Sequence, residues 1–525
     1  MEFGSTSVAN GSYGGGSVRL AVAGTLTVDG SISSGGRVGA AGGSVFLSAA
    51  TLAGSGSIRA NGGDAMNGSS GGGGGGRVAL LADTLSFSGE LAAIGGNGSQ
   101  AGGAGTVFTR VTAEPNGRLS IDNAGRSGYT RFAAANWPTG QVCALRLAGA
   151  AIMVPAMTLT LTQLDITTGA MLTHEHLGGQ PLRIYVSGAA LVGAGSSINV
   201  DGAGYYSVAW WQNDRGPGVG GISGWNGAGG AGYGGQGGAG IPGGGGGATY
   251  GSYQEPVDFG STSLANGSYG GGSVRLAVGG SLTVDGSISA DGQGPGAAGG
   301  SVYLACAEFA GTGNIEAKGT GGYYAGSDGD GGGGRIAVHA ETTSFGGTNS
   351  VAGGSGGFAG GGAGTICLTN STVLCGSVRD AAGQGVAGAT LSATGGYVTL
   401  TDAQGNYMLL IPSNWSGAVN VSASDRILTP VSHAFSGVVT PLFGGDFSAA
   451  ALRQPILTSQ LSGNTLRLAW DSQSGVLYQV YSAPDLIHWS AYGLPQPGTG
   501  APISMDCPMA GATSLFFRVG FSVSP

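Results

Sequence analysis

The chain has 525 residues, of which 115 are glycine, 41% are apolar and only 9% are charged. Average glycine usage is about 7%, so an ordinary globular composition is excluded. Glycine does not recur at every third position, which excludes collagen, and the apolar content is too high for a solvated disordered tail. The net charge of −8 without basic runs argues against nucleic acid and anionic membranes as partners, and no apolar run approaches bilayer length.

A stretch near the start of the chain recurs later. Residues from Phe3 read FGSTSVANGSYGGGSVRLAVAGTLTVDGSI, and residues from Phe259 read FGSTSLANGSYGGGSVRLAVGGSLTVDGSI. The two copies are separated by about 256 residues, and such self-similarity is typical of repeat architectures. Because Met1 falls where the second copy is already under way, at Val257, we expect an N-terminal portion to be missing. A signal peptide could lie there.

A shorter period of about 27 to 34 residues lies inside each copy. Each unit reads G-[S/R/T]-[V/I]-x-[LFIV], then a second short strand, then a glycine-rich loop. Alternation of apolar and polar residues predicts strands. The predicted strand starts are Ser17, Ser44, Arg77, Thr106, Ser273, Ser301, Arg335 and Thr365.

Two or three short strands per unit predict the coils of a β-solenoid, in which each strand pairs with its equivalent in the next coil. The template also fits residues 181–201 and, more loosely, 147–168, so we expect the solenoid to continue to about Leu368. The glycine-rich loops are expected to project from one flank. A bundle of polyproline-II segments made from the tracts 71–76 and 243–247 is the alternative. The predicted inward ladder is Leu20, Val22, Leu26, Val28 and Ile32.

The glycine tracts stop after Thr369, and the following stretch contains GSVRD, GVAGA and TDAQGNY. These motifs resemble the carboxypeptidase regulatory-like family of small β-sandwiches. That resemblance implies a non-catalytic spacer or binding module of a secreted protein. Within TDAQGNY, Asp402 and Gly405 suit a hairpin turn, with Tyr407 starting the next strand.

The last part of the chain contains LRLAW, YQVYS and FFRV, three runs that alternate as strands do. Short strands separated by turns suggest a fibronectin-III-like sandwich. The runs also resemble C-terminal modules on exported proteins of verrucomicrobia-like bacteria, and the tracts GGGGGGR and GGGGR resemble large surface proteins of the same bacteria. These resemblances imply a secreted or cell-surface location.

We therefore predict an all-β chain, in which a right-handed parallel β-helix with glycine-rich loops precedes two small β-sandwiches. The predicted domains are a truncated first copy at 1–110, a fuller second copy at 111–369 with an aromatic loop at 202–253, a carboxypeptidase regulatory-like sandwich at 370–450 and a fibronectin-III-like sandwich at 451–525.

Aromatic side chains are concentrated in the 202–253 loop, interleaved with glycines and amides. Aromatic faces stack on the apolar faces of sugars, and amides and carboxylates bind hydroxyls, so the loop is a candidate polysaccharide-binding site. The alternative is that the rings pin a long loop onto the solenoid. The candidate residues are Tyr205, Tyr206, Trp210, Trp211, Gln212, Asn213, Asp214, Trp225 and Tyr233.

Catalytic and metal signals are weak. Asp328 and Asp330 are a close pair of carboxylates, but a flexible glycine loop is a poor platform for the two positioned acids of glycoside hydrolysis. Ca²⁺ binding and a solvated turn are the other interpretations of this pair. His174 and His176 are spaced to share one strand face, as in some metal sites, or form an exposed strand edge. We predict no catalytic residue and no cofactor.

The five cysteines form no CxxC pair and no zinc spacing. Cys367 and Cys375 could form a disulfide across a domain junction, or all could be separate buried thiols. The remaining cysteines are Cys143, Cys306 and Cys507.

The predicted function is that of a non-catalytic extracellular structural and adhesive protein, with polysaccharide or other cell-surface components as partners. An open strand edge at the first coil predicts self-association through the solenoid ends. Two alternatives remain: a β-helix polysaccharide lyase or glycoside hydrolase, and a passive stalk for a missing N-terminal domain.

Overall fold

The structure is a computed structural model. In the part of the chain that it describes, every regular element is a strand, which confirms the all-β prediction. No helix able to cross a bilayer occurs in that part. The described residues are 3–8, 11–133, 143–176, 180–207, 215–221, 227–241, 243–265, 267–324, 326–509 and 515–523.

The chain divides into two compact units, of which unit 1 comprises residues 1–373 and 438–442. The strands that begin before residue 371 are β1 (Ser17–Thr27), β2 (Ser31–Ser33), β3 (Ser44–Gly54), β4 (Ser57–Arg59), β5 (Arg77–Phe87), β6 (Glu90–Ala92), β7 (Thr106–Val111), β8 (Glu114–Asp122), β9 (Gly128–Phe132), β10 (Cys143–Ala148), β11 (Ala151–Pro155), β12 (Leu159–Ile166), β13 (Met171–Leu172), β14 (Leu182–Val186), β15 (Ala190–Val192), β16 (Ser197–Asn199), β17 (Tyr206–Ser207), β18 (Ser268–Tyr269), β19 (Ser273–Val284), β20 (Ser287–Ser289), β21 (Ser301–Ala310), β22 (Asn314–Glu316), β23 (Arg335–Thr343), β24 (Thr348–Ser350) and β25 (Thr365–Thr369).

Unit 2 comprises residues 374–437 and 443–525. The remaining strands are β26 (Ser371–Asp380), β27 (Thr390–Ala393), β28 (Tyr397–Leu400), β29 (Asn406–Pro412), β30 (Trp415–Ser422), β31 (Arg426–Thr429), β32 (Ser432–Val438), β33 (Leu442–Phe443), β34 (Phe447–Ala451), β35 (Leu457–Ser462), β36 (Thr465–Trp470), β37 (Val476–Ala483), β38 (Ser490–Pro497), β39 (Ile503–Pro508) and β40 (Phe516–Val523).

All eight predicted strand starts in the two copies are confirmed, since β1, β3, β5, β7, β19, β21, β23 and β25 begin at the residues named above. Equivalent residues of successive units pair in parallel and in register, as in the row Ser17, Ser44, Arg77 and Thr106. The unit is one long strand followed by a strand of three residues, which pairs with its own equivalents. The sequence repeat is therefore also the repeat of backbone pairing.

Apolar side chains at matching positions stack into ladders inside the first copy. Leu26 pairs with Leu52, and Leu52 with Leu85. Ile32 and Ile58 make a second ladder from the short strands. Leu52 and Ile58 are fully buried, and burial of such a side chain contributes about 2 kcal/mol. Leu26, Val28 and Ile32 of the predicted inward ladder belong to the core of this copy. Leu20 is 39% exposed and Val22 is half-buried, because β1 ends the sheet.

The large sheet of unit 1 is mixed rather than purely parallel. Its order is β1-β3-β5-β7-β8-β10-β12-β14-β19-β21-β23-β25, with β15 beside β12 and β19. The pair β7–β8 is antiparallel, because the chain turns back after Val111. Short strands form a seven-stranded sheet (β24-β22-β20-β16-β13-β11-β9) and a three-stranded sheet (β2-β4-β6).

The glycine-rich stretches do not project from the flank, and that expectation is wrong. They pack on one another through backbone hydrogen bonds outside the strands, such as Gly329 N to Ala228 O (2.9 Å) and Gly332 N to Ala231 O (2.8 Å). A Cβ atom on Gly331 would lie 1.9 Å from Ala297 O, so only glycine permits this approach. The glycine-rich stretches thus pack beside the strands and do not replace them.

Unit 2 contains separate sheets before and after residue 452. The first part forms the sheets β29-β26-β34-β31, with β33 beside β26, and β28-β27-β30-β32. The second part forms β35-β36-β39 and β38-β37-β40. The predicted turn exists: Asp402 Oδ1 accepts hydrogen bonds from the backbone N–H groups of Gln404 and Asn406. It is not a hairpin, however, because β28 and β29 belong to different sheets.

Candidate functional site

The predicted aromatic site falls only partly within the described residues. Tyr205 is half-buried and meets the ring of Phe259 edge to face, at a centroid distance of 6.0 Å. Tyr206 is half-buried on β17, opposite Tyr269. The candidates that lie outside the described residues are Trp210, Trp211, Gln212, Asn213, Asp214 and Trp225. Their contact with a glycan stays a prediction.

Tyr233 is fully buried, so no sugar can stack on its ring in this structure. Its hydroxyl lies 2.6 Å from Ser301 Oγ, and its ring centroid is 4.7 Å from that of Tyr250. The guanidinium carbon of Arg335 lies 5.3 Å from the Tyr233 ring centroid. Burial raises the pKa of Tyr233 well above its ordinary value. This tyrosine pins the loop onto the sheet, which was the alternative interpretation of the aromatic residues.

Asp328 and Asp330 are buried and bind backbone amides. Asp330 Oδ1 accepts hydrogen bonds from the N–H groups of Gly322 and Gly357, both at 2.7 Å. Asp328 Oδ1 accepts one from Ala228 N–H at 3.1 Å. The solvated turn expected for this pair is therefore wrong, since the two carboxylates tie glycine-rich segments together. The described residues contain no group of three or more potential metal-ligating side chains.

His174 and His176 do not share a strand face. His174 is buried, and its Nε2 accepts a hydrogen bond from Ser273 N–H (3.3 Å), while its Nδ1–H donates to Glu175 O (2.8 Å). Burial lowers the pKa of His174 to about 4, so the imidazole is neutral near pH 7. His176 is exposed, and its Nδ1 lies 3.2 Å from Gly202 O. Both the metal-site geometry and the exposed edge are wrong for His174.

No disulfide forms among the cysteines. All five are thiols, and the Cys367–Cys375 bridge is therefore wrong. Burial raises the pKa of the Cys143 thiol to about 11, which keeps it protonated and unreactive near neutral pH.

A cavity lies where the stack of the first copy ends. It has a volume of about 490 Å³, within the range of small-molecule sites. Strand β7 pairs with β5 only from Arg77 to Leu81 before the chain turns back. The later half of β5 and all of β6 therefore have no following strand paired with them, and Leu85 and Leu91 give the cavity an apolar lining. We call this cavity the terminal cleft.

Polar side chains also line the terminal cleft, and we call them its polar wall. Arg118, Ser120 and Asp122 alternate along β8, and Arg146 of β10 pairs in register with Ser120. Arg146 Nη1 lies 3.3 Å from Asp122 Oδ2, and both side chains are about two-fifths exposed. Guanidinium groups present several donors in a fixed plane and a carboxylate presents acceptors, so this wall can bind hydroxyl or carboxylate groups.

The terminal cleft was missed by the sequence reasoning. Its signal is a departure from the repeat: the strand TVFTRV, which begins at Thr106, is followed by TAEPNGR. The units that begin at Ser17, Ser44 and Arg77 have a second apolar segment at this point. Gly117, with a φ of 71°, sits where the register between β7 and β8 shifts. Because the second apolar segment is missing after β7, no strand covers the apolar residues at this end of the first copy's core. The cavity lies at that end.

No protein-family model matches the chain, and no curated protein is significantly similar to it in sequence. Solved structures give distant similarities. A DUF3823 family protein from Parabacteroides merdae is 11% identical, with a TM-score of 0.14, over 29% of this chain and 92% of that one. A streptococcal ancillary pilin is 12% identical, with a TM-score of 0.18, over 32% of this chain and 60% of that one. Similarity at these scores carries no argument about function.

Proposed function

We propose that this protein is a non-catalytic extracellular structural and adhesive protein that binds polysaccharide, at the cell surface or after secretion. Its unit 1 would be a right-handed parallel β-solenoid interrupted at β7–β8. In-register parallel pairing of successive units supports this architecture. Stacked units build length and surface from one repeated sequence, as a scaffold requires. The resemblance of the tracts and C-terminal runs to surface proteins of verrucomicrobia-like bacteria supports the location.

The terminal cleft is the observation that carries polysaccharide binding. A sugar ring has an apolar C–H face and a rim of hydroxyl groups. The apolar lining formed by Leu85 and Leu91 suits the face, and the polar wall, with Arg118, Asp122 and Arg146, suits the rim. Because the ion pair is partly exposed, it can exchange water for hydroxyl groups at small desolvation cost.

A second contact is proposed at the aromatic loop. Trp210 and Trp211 supply the ring area that the terminal cleft lacks, with Tyr205 and Tyr206 half-buried next to them in sequence. Two contacts on one polymer would raise avidity through effective concentration, even if each is weak.

The test is depletion of the purified protein from solution by a panel of insoluble polysaccharides. We expect saturable binding that is weakened about tenfold or more by Arg118→Ala/Arg146→Ala and, separately, by Trp210→Ala/Trp211→Ala. Arg467→Ala is the matched control, because Arg467 is an exposed arginine paired with Asp506 in unit 2.

Three results would contradict the proposal. Binding to no polysaccharide would leave a scaffold without a glycan ligand. Equal loss in the Arg467→Ala control would mean nonspecific adsorption. Release of soluble sugar from the polysaccharide during incubation would mean catalysis and would support the lyase or hydrolase alternative.

A further inference from the structure

The charged side chains of the terminal cleft do not balance one another. Two arginines, Arg118 and Arg146, and two carboxylates, Glu90 and Asp122, line it. Glu90 is already paired with Arg59 of the neighbouring strand β4. Asp122 is paired with Arg146. Arg118 is left over, so the cleft carries a local excess of positive charge.

Arg118 has no partner in the part of the chain that the structure describes. Its side chain is half-buried and makes no ion pair or hydrogen bond with the described residues. The hydroxyl groups of Thr109, opposite Arg118 on β7, and of Ser120, further along β8, likewise have no protein partner among the described residues. All three side chains line the cleft. Their donors are therefore available to a ligand.

The sheet places a second guanidinium group beside Arg118. Arg146 lies opposite Ser120 in the parallel pair of β8 and β10, and Arg118 precedes Ser120 by two residues on the same side of β8. Side chains at such diagonal positions start about 7 Å apart, which lets two arginines reach one anion placed between them.

Arg146 keeps donors for such an anion. Its contact with Asp122 is a single one of 3.3 Å, longer than a strong charge-assisted hydrogen bond. Asp165 of β12, opposite Arg146 on its other side, accepts hydrogen bonds from the Gln163 amide and does not line the cleft. A guanidinium group has several N–H donors, so one contact with Asp122 leaves others free to bind.

A carboxylate suits this arrangement better than a hydroxyl group does. Guanidinium groups bind carboxylates through paired, charge-assisted hydrogen bonds, which are stronger than those to neutral acceptors. A uronic acid carries its carboxylate on a sugar ring whose C–H face can lie against Leu85 and Leu91. Each such sugar brings one negative charge, which compensates the unpaired charge of Arg118.

We propose that the terminal cleft selects acidic polysaccharides of the uronic acid class and that Arg118 determines this selectivity. The inference rests on the proposed function, because it concerns the polymer bound in the same cleft. Arg118 and Arg146 bind the uronate carboxylate, and Thr109 and Ser120 bind neighbouring hydroxyl groups. The whole chain has a net charge of −8, which disfavours a polyanion at long range. Selection therefore depends on the local charge of the cleft.

The test compares one polymer with and without its carboxylates. Polygalacturonate, and the same polymer after chemical reduction of its carboxyl groups to alcohols, are titrated into the full-length protein by isothermal titration calorimetry. We expect the native protein to bind polygalacturonate about tenfold more tightly than the reduced polymer, as charge-assisted hydrogen bonds provide. Arg118→Gln should bind the two polymers about equally, because it retains hydrogen-bonding groups but loses the charge.

Arg110→Gln is the matched control. Arg110 follows Thr109 on β7, is exposed and does not line the cleft, since successive side chains of a strand point to opposite faces. This substitution removes the same charge from the same part of the sheet and should leave the selectivity unchanged. Urea midpoints followed by circular dichroism check that both variants keep the native fold.

The inference is overturned if the native protein binds both polymers equally, or if Arg118→Gln keeps the preference for polygalacturonate. Equal loss of the preference in Arg110→Gln would also overturn it, by showing a general attraction to the sheet. Dextran sulfate is a third probe. If it binds as tightly as polygalacturonate and Arg118→Gln weakens both alike, the cleft accepts any anion and the assignment to uronic acids is wrong.

Depletion by the insoluble polysaccharides separates this inference from the proposed function. Saturable depletion without a preference for polygalacturonate would overturn only the selectivity. Binding to no polysaccharide, soluble or insoluble, would contradict the proposed function and the selectivity together.

Discussion

At the scale of single residues, the close packing of the glycine-rich stretches predicts how strongly one added methyl group destabilises the fold. Gly331→Ala should destabilise unit 1 by about 3 kcal/mol, because its Cβ would lie 1.9 Å from a backbone oxygen that cannot move aside alone. Gly73 makes the equivalent approach to Ala40 O in the first copy, at 2.0 Å, so Gly73→Ala should act similarly. The measurement is the urea midpoint followed by circular dichroism.

Gly360→Ala is the control for this substitution. Gly360 is exposed, and a Cβ there would meet open space. If Gly331→Ala unfolds at the same urea concentration as Gly360→Ala, the close backbone approach at Gly331 does not exist in solution.

The buried imidazole of His174 predicts a pH dependence. Its folded pKa of about 4 lies below the ordinary value of 6.5, so the unfolded chain binds more protons between these values. The stabilisation is therefore complete above pH 6.5 and is lost as the pH falls towards 4. For this one group the loss amounts to about 3 kcal/mol. Burial also lowers the pKa of His339, which acts in the same direction.

In His174→Gln the free energy of unfolding should fall less between pH 6.5 and pH 4 than it does in the native protein. This holds independently of any change in stability at pH 7. His488→Gln, at an exposed imidazole in unit 2, should leave the slope of unit 1 unchanged. An NMR titration of His174 with a midpoint near 6.5 would contradict the burial argument directly.

At the scale of elements, the sequence predicted what depends on side-chain alternation. The first residues of β1 and β19, Ser17 and Ser273, could be predicted because the pattern G-S-V-x-L recurs and its apolar positions lie on one side of the strand. The short strands after them followed the same rule. By contrast, β7 and β8 pair antiparallel because the sequence departs locally from the repeat. That this departure leaves a cavity at the end of the first copy is visible only in three dimensions.

The glycine-rich stretches show why the candidate site was harder to predict. Glycine has no side chain, so a tract carries no pattern that tells a packed segment from a projecting loop. Asp330 bonds the amides of Gly322 and Gly357 on either side of it in sequence, and neither spacing is periodic. Tyr233 resembles a sugar-stacking residue in sequence, and only its contact with Ser301 shows that it is structural.

At the scale of the whole molecule, the ends of the large sheet are where we expect copies of the protein to pair. Strand β1 is at one end of the sheet order and β25 at the other. An end strand presents backbone donors and acceptors to a strand of another chain, and an inward-facing charge is a usual means of blocking such pairing. Leu20 of β1 is 39% exposed, so a charge there costs less than at Leu47, which is fully buried.

We therefore expect the protein to self-associate with increasing concentration, and Leu20→Lys to shift it towards monomer in sedimentation velocity. Ile487→Lys, at a 75% exposed residue outside any strand, adds the same charge and should not change the association. A native protein that stays monomeric at high concentration would contradict end-to-end pairing and would favour β1 as a solvated edge.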